Sequence, residues 1–187
     1  AQESRGLGDV YKRQYQVLPS PVMMRRPSIP DLVMEPTASM ALRAARKAGD
    51  LIVRAADDMD RVGYRAKAAA DFVTEVDIAA EKEILYHLSK TYPDHRFECE
   101  ESGPSGDEGS EYTWVIDPLD GTTNFAHGYP FFATSIGLTY QQQPVLGAIT
   151  VPFLRETYWG APGLGAHCND QPIRVTDCSR LDDALLV

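Results

Sequence analysis

Apolar residues recur at helical spacing in two segments of the first half of the chain. The first segment begins at Thr37, which can cap a helix, and its apolar face is rich in alanine: Met40, Ala41, Ala44, Ala45, Ala48, Leu51, Ile52 and Ala55. The second segment runs from about Glu75 to Lys90 and ends before Pro93. Residues 57–70, charged at first and then rich in small side chains, predict a loop or a short irregular hairpin between two helices.

Short apolar runs replace this pattern in the second half and predict strands. They cover Arg96–Cys99, Trp114–Ile116, an antiparallel pair formed by Phe132–Tyr140 and Pro144–Val151, and Thr157–Trp159 before a glycine turn at Gly163–Gly165. Two helices followed by several strands, without regular alternation, predict an α+β fold built in layers.

Composition narrows the class of protein. The chain has 187 residues, of which 43% are hydrophobic, and 27 acidic against 18 basic residues give a net charge of −9. This charge disfavours non-specific binding to nucleic acid or to an anionic membrane, so an anionic substrate would need a locally positive site such as a bound divalent metal. No apolar run approaches the roughly 18 residues of a membrane helix. Three cysteines without ligand spacing indicate free thiols in a reducing cytoplasm.

The first 33 residues differ from the rest of the chain. They mix glycine, proline and scattered basic residues and lack the apolar core of a signal peptide. We expect residues 1–33 to be a disordered extension or a gene-model artefact, with Met34 as a candidate start and residues 34–187 as the N-terminal part of a domain.

Three segments carry acidic residues at the ends of apolar elements: Asp71–Asp77, Glu100–Gly103 and Asp117–Thr122. In the third, Pro118 and Gly121 predict a turn directly after the strand, which would place Asp117 and Asp120 together. Mg²⁺ prefers such oxygen clusters, and backbone N–H groups near Gly121 can face a phosphate. If these segments converge, they form a site for two or three metals.

Each segment also has a simpler explanation. Asp71–Asp77 is typical of a helix start, and Glu100–Glu101 is typical of a surface turn. The third segment is more specific, because two similar motifs fail to match it. A DxDGT phosphatase loop needs one residue fewer between the aspartates, and an EF-hand needs alternating oxygens and a distant glutamate.

The three segments, DFVTEVD, EESG and DPLDGTTN in that order, resemble the inositol monophosphatase family, and Ala41–Gly49 is similar to its bacterial branch. The resemblance runs from about Met34 to the last residue. It implies a layered α/β/α/β sandwich of the sugar-phosphatase type, of which this chain carries the N-terminal portion. In the family, a second sheet-containing half adds a Trp-Asp motif that completes the second metal site. We therefore expect the chain alone to bind its second metal weakly and to lack full activity.

The resemblance also implies roles for individual residues. Glu100, Asp117 and the Leu119 carbonyl would hold a first Mg²⁺, and Asp117 with Asp120 a second. The phosphate would lie against Leu119, Asp120, Gly121 and Thr122. Thr122, with Glu101 or Asp77, would orient and help deprotonate the attacking water. Lys67 would supply positive charge from a mobile loop, with a solvated surface lysine as the alternative.

The activity implied is Mg²⁺-dependent hydrolysis of myo-inositol monophosphate, sensitive to lithium, by a cytoplasmic homodimer. Alternative substrates are histidinol phosphate, a nucleotide 3′-phosphate or fructose bisphosphate, because selectivity lies largely in the second half of the family's fold. A different class is an accessory protein of transcription complexes, a role that one member of the bacterial branch has.

Overall fold

The computed structural model describes residues 34–62, 66–169, 171–175, 179, 180 and 182, and only the backbone of those within 58–72. The predicted extension, residues 1–33, lies outside these ranges, as does Cys178. The elements, in chain order, are α1 (Met34–Val62), α2 (Ala66–Thr91), β1 (Arg96–Cys99), β2 (Gly103–Gly106), β3 (Tyr112–Asp120), α3 (Thr122–Ala126), β4 (Ala133–Tyr140), β5 (Gln143–Val151), a 3-10 turn (Pro152–Leu154), β6 (Glu156–Ala161), β7 (Gly165–Cys168) and β8 (Gln171–Ile173).

The strands form one eight-stranded sheet in the order β2-β1-β3-β4-β5-β6-β7-β8. Strands β1 and β3 are parallel, whereas every other neighbouring pair is antiparallel. The predicted antiparallel pair is confirmed as β4 and β5, and the predicted glycine turn joins β6 to β7. The α+β class is therefore confirmed, and the described residues form a sheet layer and a helix layer.

Helices α1 and α2 pack against each other, α1 mainly on β5 and β4 and α2 on β3. The alanine face of α1 is completely buried at Ala41, Ala44, Ala45 and Ala48, as close packing requires. Along α2, the buried positions Val76, Ala80, Ile84 and Leu88 repeat every four residues.

The predicted loop over residues 57–70 is wrong. Helix α1 continues to Val62 and α2 begins at Ala66, so Asp71–Asp77 lies inside a helix and is not its start. The alanines at positions 66 and 68–70 have the highest helix propensity, and this stretch contains no proline. Lys67 is consequently a helical residue and does not lie on a loop.

Strand β3 also continues further than expected. The predicted turn after Ile116 is absent, since Asp117 still pairs with Ser135 and Asp120 with Ala133. The register shifts between the two aspartates, so this part of the strand is bulged. A bulge accommodates Pro118, which cannot donate a ladder hydrogen bond.

Aromatic side chains fix β1 against β3. Trp114 is fully buried, as a core residue should be, and its indole Nε1 donates a hydrogen bond to Nδ1 of His95 at 3.1 Å. His95 stacks between Tyr92 and Tyr112 with ring centroids 4.9 and 4.7 Å apart. These contacts hold the chain entering β1 beside the start of β3.

The sheet face opposite the helices is partly apolar and exposed at Val115 and Ile149. No helix of the described residues is both long and apolar enough to cross a bilayer. Cys99 and Cys168 are free thiols.

Candidate metal centre

The parallel pairing of β1 and β3 brings two of the acidic segments together. Cys99 is paired with Ile116, and the Glu100 N–H donates to the Ile116 carbonyl at 3.1 Å. The residues that follow on each strand, Glu100 and Asp117, are therefore neighbours, and Glu100 raises the pKa of the Asp117 carboxyl group. Carboxyl ends of parallel strands meet at one edge of a sheet, which explains why residues far apart in sequence converge here.

Helix α2 supplies the third acidic segment from the helix layer. Asp77 is only 3% exposed, and it interacts electrostatically with Glu101, Glu100 and Asp117. One helical turn later, Glu81 is 2% exposed and accepts hydrogen bonds from the N–H groups of Glu101 at 2.8 Å and Ser102 at 3.0 Å. The predicted convergence of the three segments is thus present in the fold.

The end of β3 leads into the short helix α3 through a glycine that no other residue could replace without strain. Gly121 has a φ of +89°, and a Cβ added there would lie 2.9 Å from the Phe131 carbonyl oxygen. The next residue, Thr122, donates its hydroxyl to the carbonyl oxygen of Leu119 at 3.0 Å. The predicted phosphate-lining residues Leu119–Thr122 therefore run from the end of β3 through Gly121 into α3.

Burial and mutual repulsion make the inner carboxyl groups basic. Burial, followed by the charges of Glu101, Glu100 and Asp117, raises the pKa of Asp77 from 3.8 to about 7. Burial and the neighbouring Glu100 likewise raise the pKa of Asp117 to about 7. Among the described side chains, no lysine or arginine forms an ion pair with this cluster. Its negative charge therefore lacks a protein counter-charge within that part of the chain.

Two atoms indicate what the cluster lacks. Oδ1 of Asp77 and Oδ1 of Asp117 are buried without a hydrogen-bond partner, an expensive arrangement for a carboxylate. Glu100, Glu101 and Asp120 are exposed, so the cleft is open to solvent on one side. An oxygen-rich, negatively charged cleft with unsatisfied buried oxygens fits a hard divalent cation such as Mg²⁺.

The cluster fits a divalent cation in its residue types and its charge, but its side chains do not surround a common point. Within the described ranges, no three His, Cys, Asp or Glu side chains form a ready-made metal site. The ligand set of Glu100, Asp117, the Leu119 carbonyl and Asp120 therefore stays a prediction.

Three other predicted residues and one unpredicted residue bear on the acidic cluster. Asp77 and Glu101 lie in the cluster, whereas the side chain of Lys67 lies outside the described residues. Sequence reasoning missed Glu81. Its signal was an acidic residue, four positions after Asp77, on the same stripe as the apolar positions of α2.

Comparison with known proteins identifies relatives of the chain. Residues 33–187 match the model of the inositol monophosphatase family. Nus factor SuhB from Pseudomonas aeruginosa is 44% identical over 155 residues, covering 82% of this chain and 57% of that protein. The fructose-1,6-bisphosphatase/inositol-1-monophosphatase of Aquifex aeolicus is 40% identical over 144 residues, covering 77% of this chain and 54% of that protein.

The fold is shared as well. The crystal structure of extragenic suppressor protein suhB from Bartonella henselae superimposes with a TM-score of 0.70 at 39% identity, over 79% of this chain and 57% of that one. The chain thus spans 57% or less of the length of these three relatives. A family model that matches nearly all of the described residues, together with this level of identity, shows that the chain belongs to the inositol monophosphatase family.

Proposed function

We propose that the protein is a Mg²⁺-dependent phosphomonoesterase that hydrolyses inositol monophosphate to myo-inositol and phosphate. The observation that carries this proposal is the pair of buried, unpartnered oxygens on Asp77 and Asp117, in a cleft that Glu100 and Glu101 also face. Family membership supports a phosphatase in general. The inositol substrate, the metal and the residue roles belong to the proposal.

The residues present divide the work of such a reaction. Glu100, Asp117, the Leu119 carbonyl and Asp120 would hold the cations, which supply charge neutralisation for the phosphate and acidify a bound water. Leu119–Thr122 would lie along the phosphate oxygens. The Thr122 hydroxyl, together with Glu101 or Asp77, would orient the attacking water and accept its proton.

The location of the general base follows from the same environment. A carboxyl group with a pKa near 7 can accept a proton at neutral pH, and Asp77 is buried beside Glu101 in this way before a metal binds. A cation bound next to it would lower that pKa and keep it ionised. Water attack would release the alcohol directly, without a covalent enzyme intermediate.

The assay is release of phosphate from inositol 1-phosphate by the gene product that contains this chain, with MgCl₂ present. We expect Asp120→Asn to lower kcat/KM by roughly 100-fold or more, since it removes a metal ligand. The matched control is Glu108→Gln, an exposed acid outside the cluster, which should retain activity. Turnover that survives Asp120→Asn would refute the mechanism.

Other phosphate esters are a second candidate within the same chemistry. The name of the Aquifex aeolicus relative includes fructose-1,6-bisphosphatase, which favours testing fructose 1,6-bisphosphate as a substrate. Histidinol phosphate and a nucleotide 3′-phosphate should be tested in parallel. A higher kcat/KM for one of them than for inositol 1-phosphate would replace the proposed substrate while keeping the mechanism.

A role in transcription complexes is a candidate of a different class. It is favoured by the names of several relatives at 40–44% identity, two of which are called Nus factor SuhB and one putative Nus factor SuhB. Absence of turnover on all four phosphate esters, combined with tight binding to RNA polymerase, would establish this role in place of catalysis.

We propose a cytoplasmic homodimer inhibited by lithium for the catalytic protein. Sedimentation tests the homodimer, and the same phosphate-release assay with LiCl tests the inhibition.

A further inference from the structure

A groove on the helix side of the sheet, formed by different residues from those of the acidic cluster, is lined by basic residues. It runs between α1 and the β5–β6 part of the sheet as two adjoining pockets of about 500 and 820 Å³, which share Arg46, Asp50 and Asn169. Its cationic residues, all exposed, are Arg43, Arg46, Lys47, Arg54 and Arg155. A concentration of positive charge on a chain of net charge −9 needs an explanation.

The helix places these cations along one line. Positions 43, 46, 47, 50 and 54 follow helical spacing, so they share a face of α1 and extend over roughly 16 Å at 1.5 Å per residue. Arg155 faces them from the sheet side, held in a left-handed conformation with φ of +55° after the 3-10 turn. An extended ligand could therefore contact several of them at once.

The cations are not neutralised within the described part of the chain. Asp50 is the one acidic side chain lining the groove there, and none of the five cations forms an ion pair with any described carboxylate. Arg54 donates Nε to the Asp50 backbone carbonyl at 3.1 Å and keeps its charge free for another partner. The groove therefore has the charge of an anion-binding surface.

An aromatic ring, Trp159, adds a second kind of contact to the groove. Trp159 on β6 lines the groove beside Arg43 and Lys47, and its register partner on β7 is His167. The two rings are stacked, with centroids 4.4 Å apart and planes 11° from parallel. Proteins that bind single-stranded nucleic acid combine a positive groove with aromatic rings on which bases stack.

We propose that this groove binds single-stranded nucleic acid, with phosphates on the α1 cations and a base against Trp159. Four of the five cations are arginines, whose planar fork matches phosphate oxygens and stacks on bases. An acidic peptide would satisfy the charge and leave Trp159 without a ring to stack on. The proposal is independent of phosphatase activity, because no residue of the acidic cluster takes part.

The test is fluorescence anisotropy of a 5′-labelled 12-nucleotide oligouridylate with the 187-residue chain at 50 mM salt. EDTA is included so that no metal at the acidic cluster contributes to binding. We expect saturable binding that weakens with salt, and a loss of about tenfold or more in affinity for Arg46→Glu/Lys47→Glu. The matched control is Lys82→Glu, an exposed lysine on α2, which should change affinity less than about twofold.

Two further measurements separate stacking from charge. Trp159→Leu should weaken binding without changing the slope of log Kd against log salt, whereas Arg46→Gln should reduce that slope by about 0.7. Circular dichroism of each variant confirms that it is folded. Absence of saturable binding, equal binding by Arg46→Glu/Lys47→Glu, or equal competition by a 12-residue polyglutamate would each overturn the proposal.

Discussion

Glu81 is the residue whose importance becomes visible only in three dimensions. It is buried and accepts two backbone hydrogen bonds from the segment that carries Glu100 and Glu101, without belonging to any motif of that segment. A carboxylate satisfies both N–H donors at once, which no neutral side chain of the same size can do. Glu81 therefore holds the acidic turn after β1 in place.

Replacing Glu81 by glutamine tests this role. One of the two N–H groups would face the amide NH₂ instead of an acceptor, so we expect a loss of about 1–3 kcal/mol in the free energy of unfolding. Urea denaturation measures it. Glu75→Gln, at an exposed position of the same helix, should change stability by less than about 0.5 kcal/mol. Equal effects of the two substitutions would contradict the proposed clamp.

Asp77 makes the stability of the metal-free chain depend on pH. Its pKa is raised in the folded state from 3.8 to about 7, so between these values the folded chain binds more protons than the unfolded chain. Its contribution to stability is complete below about pH 4 and is lost as the pH rises through about 7. Stability is lost because ionising a buried carboxyl group among other carboxylates is unfavourable in the folded chain.

In EDTA, the Asp77 contribution to the urea midpoint should thus fall between pH 5 and pH 8. We expect Asp77→Asn to reduce this fall, since asparagine does not titrate, and to gain less from added Mg²⁺ at pH 8. Urea titrations of both proteins at the two pH values, with and without Mg²⁺, measure the difference. An identical pH dependence in the variant would show that the pKa of Asp77 is not raised in the folded chain.

At the level of elements, the parallel contact of β1 with β3 and the bulged end of β3 create the cleft. The bulge between Asp117 and Asp120 and the turn at Gly121 change the direction of the chain within four residues. Because Gly121 has both a positive φ and a close backbone neighbour, two separate restraints act on it.

Comparison of two glycines separates these restraints. Gly121→Ala and Gly163→Ala both introduce a Cβ at a φ near +90°, but only at Gly121 would that atom meet backbone, whereas Gly163 has open space. We expect Gly163→Ala to destabilise the chain by about 1 kcal/mol and Gly121→Ala by roughly twice that or more. Thermal unfolding measures both. Equal losses would mean that the approach to Phe131 is not a restraint.

The elements also show what the sequence could predict. The period of the apolar positions was sufficient for α1, α2 and the β4–β5 pair, since burial on one face imposes that period. The continuation of both helices through residues 57–62 and 66–70 was hidden by a charged and small-residue composition typical of loops. Pro118 predicted a turn, whereas the structure has a bulged strand there. A bulge that accommodates a proline depends on pairing with the neighbouring strand β4, which the local sequence does not reveal.

At the scale of the whole molecule, the candidate site lies where the helix layer packs on the sheet. Helix α2 provides Asp77 and Glu81, while the sheet provides Glu100 and Asp117, so no single segment contains the cluster. The motifs identified which acids to expect. Their convergence depended on the parallel β1–β3 contact, which local sequence patterns do not specify.

The central claim is that this cluster binds a divalent cation, and calorimetric titration of the 187-residue chain with Mg²⁺ tests it most directly. We predict saturable binding at pH 7.5 that releases protons, seen as a dependence of the heat on buffer, because carboxyls with a pKa of about 7 are partly protonated beforehand. Asp117→Asn should weaken binding by about tenfold or more, and Glu108→Gln should leave it unchanged. Absence of binding, or equal binding by Asp117→Asn, would contradict the account.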